Sequence, residues 1–194
     1  LLAQIWSTRV QRGAPVRWVT FAGRWARRDE LPPSADLPAI ARFWAGRVGA
    51  GRVHVVAGPD PRRTAAEILG VRTADPVAAA DPHSLSPAAV DLLRRLNRVL
   101  NVRFAEDARR AHLRRVAALL PQDPAPALDV PKRHRAWLDD RARRVAEDLR
   151  AGGYAVHGDL AGLAPRHVGA PHPRSADVLE LVLDTCLRVA ELET

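Results

Sequence analysis

A chain of 194 residues, 47% hydrophobic and 27% charged, has the size and make-up of one globular domain or a little more. It has no run of about 18 apolar residues, which excludes a membrane-spanning helix. A lone cysteine, Cys186, excludes an internal disulfide and a cysteine-built zinc site. The net charge of +8 is carried almost wholly by Arg, with Lys132 the one Lys.

That charge suits an anionic partner, such as nucleic acid or a phosphorylated cofactor. Against it, many Arg stand beside acids, as in Asp139-Asp140-Arg141 and Glu147-Asp148-Leu149-Arg150, and an Ala/Arg/Pro-rich, Lys-poor chain is what a GC-rich genome encodes. The opening Leu1-Leu2-Ala3-Gln4-Ile5-Trp6 carries neither a basic region nor a small-residue cleavage site, so a reducing cytoplasm is the expected setting.

In chain order, Leu2, Ile5 or Trp6, and Val10 recur at helical spacing and predict a helix from Leu1 to about Arg12, stopped by Gly13-Ala14-Pro15. Val16-Arg17-Trp18-Val19 alternates like a short strand, while Thr20 can cap a helix through Trp25 to Arg28; periodicity does not separate the two. Asp36 caps a helix from Leu37 to about Val48, with Pro38 in its first turn. Its expected inner face is Ile40, Phe43, Trp44 and Val48.

The clearest strand follows, at about 52–57, within Gly51-Arg52-Val53-His54-Val55-Val56-Ala57-Gly58-Pro59. Val53, Val55 and Val56 are β-branched and suit a buried strand. Asp60 then caps a helix from Pro61 to Leu69, with Gly70 as its stop. A strand running straight into a capped helix is half of an α/β unit.

Val71 to His83 reads as irregular. Ser86 and Pro87 open a long helix carrying Val90, Leu93, Leu96 and Leu100 on one face, widened by Leu92 and Val99. A break at Asn101-Val102-Arg103 precedes a helix from Phe104 to Leu120, and Pro121 to Pro126 is loop. Pro131 to Ala151 is the best amphipathic helix, with Leu138, Ala142, Val145 and Leu149 as its stripe. Tyr154-Ala155-Val156-His157 can form a short strand. Arg166 to Arg174 is loop, and Ser175 caps a final helix whose apolar face is Leu179, Val182, Leu183, Cys186 and Ala190.

No complete catalytic motif is present. G-x-x-x-x-G-K-[ST] and G-x-G-x-x-G are absent, and Gly46 to Gly51 precedes the strand, whereas a phosphate loop must follow one. The seven His, including His54, His157, His167 and His172, show no metal-ligand spacing. G-x-S-x-G is absent. Cys186, on an apolar face, reads as an inert buried thiol. Arg62 and Arg63, in the first turn after the strand, are where basic charge meets a helix N-terminus, an arrangement that suits an anion. Of the five Trp, most fit core packing rather than stacking on bases.

Several stretches resemble actinobacterial sulfotransferase-family proteins. Gly51 to Pro59, followed by Ala66-Glu-Ile-Leu-Gly-Val71, is similar to a later strand and helix of that family. Leu92-Leu-Arg-Arg-Leu-Asn-Arg-Val-Leu100 is similar to the helix that follows there. Val130-Pro-Lys-Arg-His-Arg-Ala-Trp137 and Leu149-Arg-Ala-Gly-Gly-Tyr-Ala-Val-His-Gly-Asp-Leu160 resemble its closing helix and turn, and Phe43-Trp44-Ala45 fits the helix before the strand. The resemblance covers about 1–165 and rests on packing residues.

It implies a fold similar to P-loop kinases and a sulfuryl transfer from phosphoadenosine phosphosulfate to a hydroxyl or amine acceptor. The family's N-terminal strand–loop–helix, which holds the phosphosulfate, has no counterpart here. Of the family's later Arg and Ser, which hold the 3′-phosphate, only Ser7 offers a candidate match. With no Met in the chain, the expectation is the C-terminal portion of a longer protein, incomplete and inactive as it stands.

The expected architecture is therefore α/β and helix-rich. A partial P-loop-type parallel sheet at about 52–57 precedes a helical C-terminal half; 1–165 is the sulfotransferase-like portion and 166–194 a loop plus helix. The expected anion contacts are Arg62, Arg63 and Ser7, with no metal, no membrane and an exposed sheet edge open to self-association. The alternative is an Arg-rich helical module that binds nucleic acid or another protein.

Overall fold

The computed structural model describes residues 1–58, 60–71, 85–121 and 128–192. Pro59 and the expected irregular stretches, beyond Val71 and beyond Pro121, lie outside the described residues. The chain forms α1 (Leu2–Gln11), α2 (Trp18–Arg28), α3 (Leu37–Val48), β1 (His54–Ala57), α4 (Pro61–Leu69), α5 (Pro87–Arg103), α6 (Glu106–Leu119), α7 (Arg135–Ala151), β2 (Ala155–Gly158) and α8 (Ser175–Leu192). Short 3-10 turns lie at Pro33–Ala35, Ala50–Arg52, Lys132–His134 and Leu160–Leu163. The architecture is helix-rich with a small parallel sheet of two strands.

The described residues belong to two compact units. One takes Leu1–Arg24, the described part of Asp81–Lys132, and the chain from His167 onward. The other takes the described part of Trp25–Ala80 and Arg133–Arg166.

The first unit is helical. Its central helix is α5, which packs against α1, α6 and α8. Ser86 caps α5 by accepting from the Ala89 amide at 3.1 Å, with Pro87 in the first turn, as the sequence predicts. Val90 and Leu93 are buried together with Trp6 and Val10 of α1 and Trp18 and Phe21 of α2. The indole rings of Trp6 and Trp18 meet at 5.8 Å, and each indole N–H donates to a carbonyl: Trp6 to Val16 and Trp18 to Asp129, both at 2.8 Å. Burying a tryptophan is favourable only if that N–H finds a partner, and both do.

Polar groups also enter this core. Asn97 is fully buried and donates to the carbonyls of Val10 at 2.8 Å and Ala14 at 3.1 Å. Asp91 accepts from Arg94 at 2.5 Å and from Arg95 at 2.8 Å.

The second unit holds the sheet. β1 and β2 run parallel, with His54 opposite Ala155 and Ala57 opposite Gly158. Ala41 of α3, Ala146 and Leu149 of α7, and Leu160 form the core, with Val53, Val55, Ala57 and Tyr154 packed on it. Asp60 caps α4 through the Arg63 amide at 3.0 Å, and Gly70 ends it in the left-handed conformation, at φ 64. Asp36 caps α3 through the Ala39 amide at 3.0 Å.

Several expectations are corrected. Where periodicity left a strand and a helix both open, the structure has the helix, Trp18–Arg28. The expected break at Asn101–Arg103 is helical; α5 stops only at Phe104, whose extended backbone ends it. The expected helix from Pro131 begins as a 3-10 turn and becomes α-helical at Arg135. Ser175 lies inside α8, where its hydroxyl accepts from Arg95 at 3.3 Å.

The inner face of α3 is also different. Ile40, Phe43, Trp44 and Val48 are exposed, Phe43 and Trp44 by 52% and 51%, while Pro38 and Ala41 are buried. α3 and α7 pack against one another through small side chains, Ala41 and Ala146, so the large ones are left outside. α8 likewise turns a different face inward from the expected one. It buries Val178 and Leu181 and leaves Leu179, Leu183, Leu187 and Cys186 exposed. Cys186 is not a buried thiol.

Candidate functional site

In sheets of parallel strands, ligands sit beyond the carboxyl ends of the strands. Here that end is formed by Ala57 of β1 with Gly58 after it, Gly158 of β2 with Asp159 after it, and the first turn of α4. Gly158 has φ +92, and a Cβ on it would collide with the Ala57 carbonyl oxygen, so the two strand ends approach as only a glycine permits.

Arg62 and Arg63 lie exposed at the start of α4. The Asp60 carboxylate already occupies that N-terminus. Arg63 is drawn along the helix to Glu67, at 3.0 Å. An anion arriving there meets a carboxylate first, and only Arg62 is left without a carboxylate partner among the described residues. Ser7 lies on α1, in the other unit, and its hydroxyl accepts from Gln11 at 3.0 Å. Among the described residues, no glycine-rich loop with a Lys follows β1.

The strands bring together a pair that the sequence did not single out. Nδ1 of His54 lies 2.9 Å from Nε2 of His157, with the ring planes 17° apart. The two residues are 103 apart in the chain. Each stood in a short β-branched run, but only the parallel register places them on one face. Among the described residues, no three His, Cys, Asp or Glu gather as a metal-binding group.

A shallow groove of about 220 Å³ lies between α7 and the turn that follows β2, walled by Ala142, Ala146, Leu160 and Ala161. Arg143 at its rim is engaged by Asp140 and by Glu147. In the first unit, the buried Asp129 carboxylate accepts from the Val130 amide at 2.7 Å and lies 3.0 Å from His167 Nδ1. His167 has φ 46, a conformation costly for a residue with a Cβ. This pair ties loop 167–174 to the segment before α7, beside a bridge between Leu128 and Ala170.

His134, in the second unit, has its imidazole pKa lowered, first by burial and then by the charges of Arg133 and Arg27. No helix among the described residues is long and apolar enough to cross a membrane. No protein-family model, curated protein or solved structure matches the chain.

Proposed function

We propose that this chain is the C-terminal portion of a sulfotransferase-like protein with a P-loop-type fold, whose family reaction moves a sulfuryl group from phosphoadenosine phosphosulfate to a hydroxyl or amine acceptor. The sequence resemblance of 43–71, 92–100, 130–137 and 149–160 motivates the reading. Two structural observations support it. None of the eight residues of β1 and β2 is fully buried, whereas parallel strands are normally covered on both faces. The exposed Ile40, Phe43, Trp44 and Val48 of α3 add an uncovered apolar face. Both are surfaces that a larger sheet, with a strand–loop–helix unit ahead of it, would cover.

No chemical step is assigned to the residues present. The test is to extend the chain upstream along its reading frame and to titrate both forms with adenosine 3′,5′-bisphosphate by calorimetry. The extended protein binds and this chain alone does not. A stop codon just upstream, or an extended protein without nucleotide affinity, overturns the reading.

A second reading, as a nucleic-acid-binding module, is favoured by one observation. From Leu37 to Gly58 there is no Asp or Glu, while Arg42, Arg47 and Arg52 are exposed beside Phe43 and Trp44. Arg47 lies 3.5 Å over the Phe43 ring. Cations beside aromatic platforms suit single strands. Binding of a labelled oligonucleotide that weakens steeply with salt supports it; weak binding that ignores salt removes it.

A further inference from the structure

We propose that copies of this chain associate with one another, α8 of one copy docking on α3 of the next. The proposal does not rest on the readings above. A strand–loop–helix unit ahead of the chain, or a nucleic-acid strand, would compete for the same face of α3.

Each of the two helices turns a row of large apolar side chains to solvent. On α8 the row is Leu179, Leu183 and Leu187, exposed by 60%, 57% and 65%. On α3 it is Ile40, Trp44 and Val48, with Phe43 beside Trp44 and the two rings edge to face at 5.5 Å. Single exposed apolar residues are ordinary, but contiguous rows of them mark contact surfaces. Both rows repeat every four residues along the helix. Rows of that spacing are the ridges that interdigitate in the commonest class of helix packing, at a crossing angle of about −50°.

Charge selects the partner. From Leu37 to Gly58 the chain has no Asp or Glu, while Arg42, Arg47 and Arg52 are exposed. Arg47 lies over the Phe43 ring and donates to the Phe43 carbonyl at 3.0 Å, which holds its charge at the margin of the apolar row. The solvent side of α8 has the opposite sign. Glu180 and Asp184 each follow a leucine of the row by one position, and neither forms an ion pair among the described residues. Asp177 is already engaged by Arg174, at 2.8 Å, and Arg188 is the single base between Ser175 and Arg188. Two α3 faces placed together would bring cations alone to the contact. Two α8 faces would bring more carboxylates than guanidinium groups. Like charges across an interface are unfavourable, and opposite charges set partner and register. In the pairing of α3 with α8, both the apolar rows and the charges are complementary.

Because the two faces differ, the contact is heterologous. Each copy joined through one face still offers the other, so copies add in succession or close into a ring.

The test is sedimentation equilibrium of the full chain over a wide range of protein concentration. The mean mass is expected to rise with concentration, and less so in high salt. Leu183→Asp on α8 and Trp44→Asp on α3 should each weaken association by at least about tenfold. Both positions are exposed, so the fold is kept, and circular dichroism in dilute solution checks that it is. Leu69→Asp, at an exposed position on α4, leaves association unchanged. The decisive measurement is the mixture of the two single variants. Trp44→Asp keeps an intact α8 and Leu183→Asp an intact α3, so together they form a one-to-one heterodimer that grows no further. Labelling of Cys186, which lies on the exposed side of α8, should slow as the concentration of the unaltered protein rises and should not slow for Trp44→Asp. A mass that stays monomeric at every concentration, undiminished association of either single variant, or a mixture that remains monomeric overturns the proposal.

Discussion

The side-chain amide of Asn97, on α5, donates to the main-chain carbonyl of Val10, at the end of α1, at 2.8 Å. The same amide reaches the Ala14 carbonyl at 3.1 Å, and Asn101 one turn later reaches Gly13 at 3.3 Å. The last carbonyls of a helix have no partner within it; the Val10 carbonyl is met by the Gly13 amide at 2.9 Å as well as by Asn97, and α5 supplies donors to the Gly13 and Ala14 carbonyls just beyond α1. Asn97→Ala leaves two carbonyls without that donor and is expected to cost about 1–3 kcal/mol. Chemical denaturation of the two proteins measures it; an unchanged midpoint would show that the contact carries no stability.

Asp91 and Arg94 are expected to dominate the acid sensitivity of the first unit. Burial is the largest influence on the Asp91 carboxyl and pushes its pKa up, but the hydrogen bonds and charges of Arg94 and Arg95 outweigh it and the net direction is down. A carboxyl whose folded pKa lies below its unfolded value contributes stability above the unfolded value, near 3.9. That contribution is lost as the pH falls through the folded value. Asp91→Ala strands the buried Arg94 guanidinium and should cost about 3–5 kcal/mol at neutral pH. Denaturation between pH 7 and pH 2 tests both parts: the loss of stability below pH 4 should be shallower in the variant.

The large side chains of α3 and the core of the second unit should respond in opposite ways. Trp44→Ala, on the exposed face, is expected to change stability by no more than about 0.5 kcal/mol. Leu149→Ala, where the side chain is 1% exposed, should cost about 2–5 kcal/mol. Equal losses for the two would contradict the orientation of α3.

Gly158→Ala should disrupt the pairing of β1 with β2, because the new methyl meets the Ala57 carbonyl at a backbone angle that favours glycine. Amide hydrogen exchange in β1 and β2 is the readout. Faster exchange there, with α5 unchanged, is the expected pattern.

Cys186 is expected to react with a maleimide in the native protein at a rate close to that of the unfolded chain, since its side chain is exposed on α8. A thiol that reacts only after denaturation would restore the buried position that its apolar neighbours suggested.

What could be read from the chain by itself was local. Asp36, Asp60 and Ser86 mark the starts of α3, α4 and α5, because a capping side chain reaches its own helix three residues on. Gly70 marks the end of α4 for an equally local reason. The parallel sheet at β1 was legible from β-branched residues running straight into a capped helix.

What only the tertiary structure decided was which face of each helix turns inward, and which residues meet across the sheet. A shift of one position turns a helical face by about a quarter-turn or more. On α8, packing chose Val178 and Leu181 over Leu179 and Leu183. On α3, the close approach of Ala41 and Ala146 selected small side chains for the interior. The His54–His157 contact depends on a register between segments 103 residues apart. No local spacing encodes that register, because the pairing joins segments far apart in the chain.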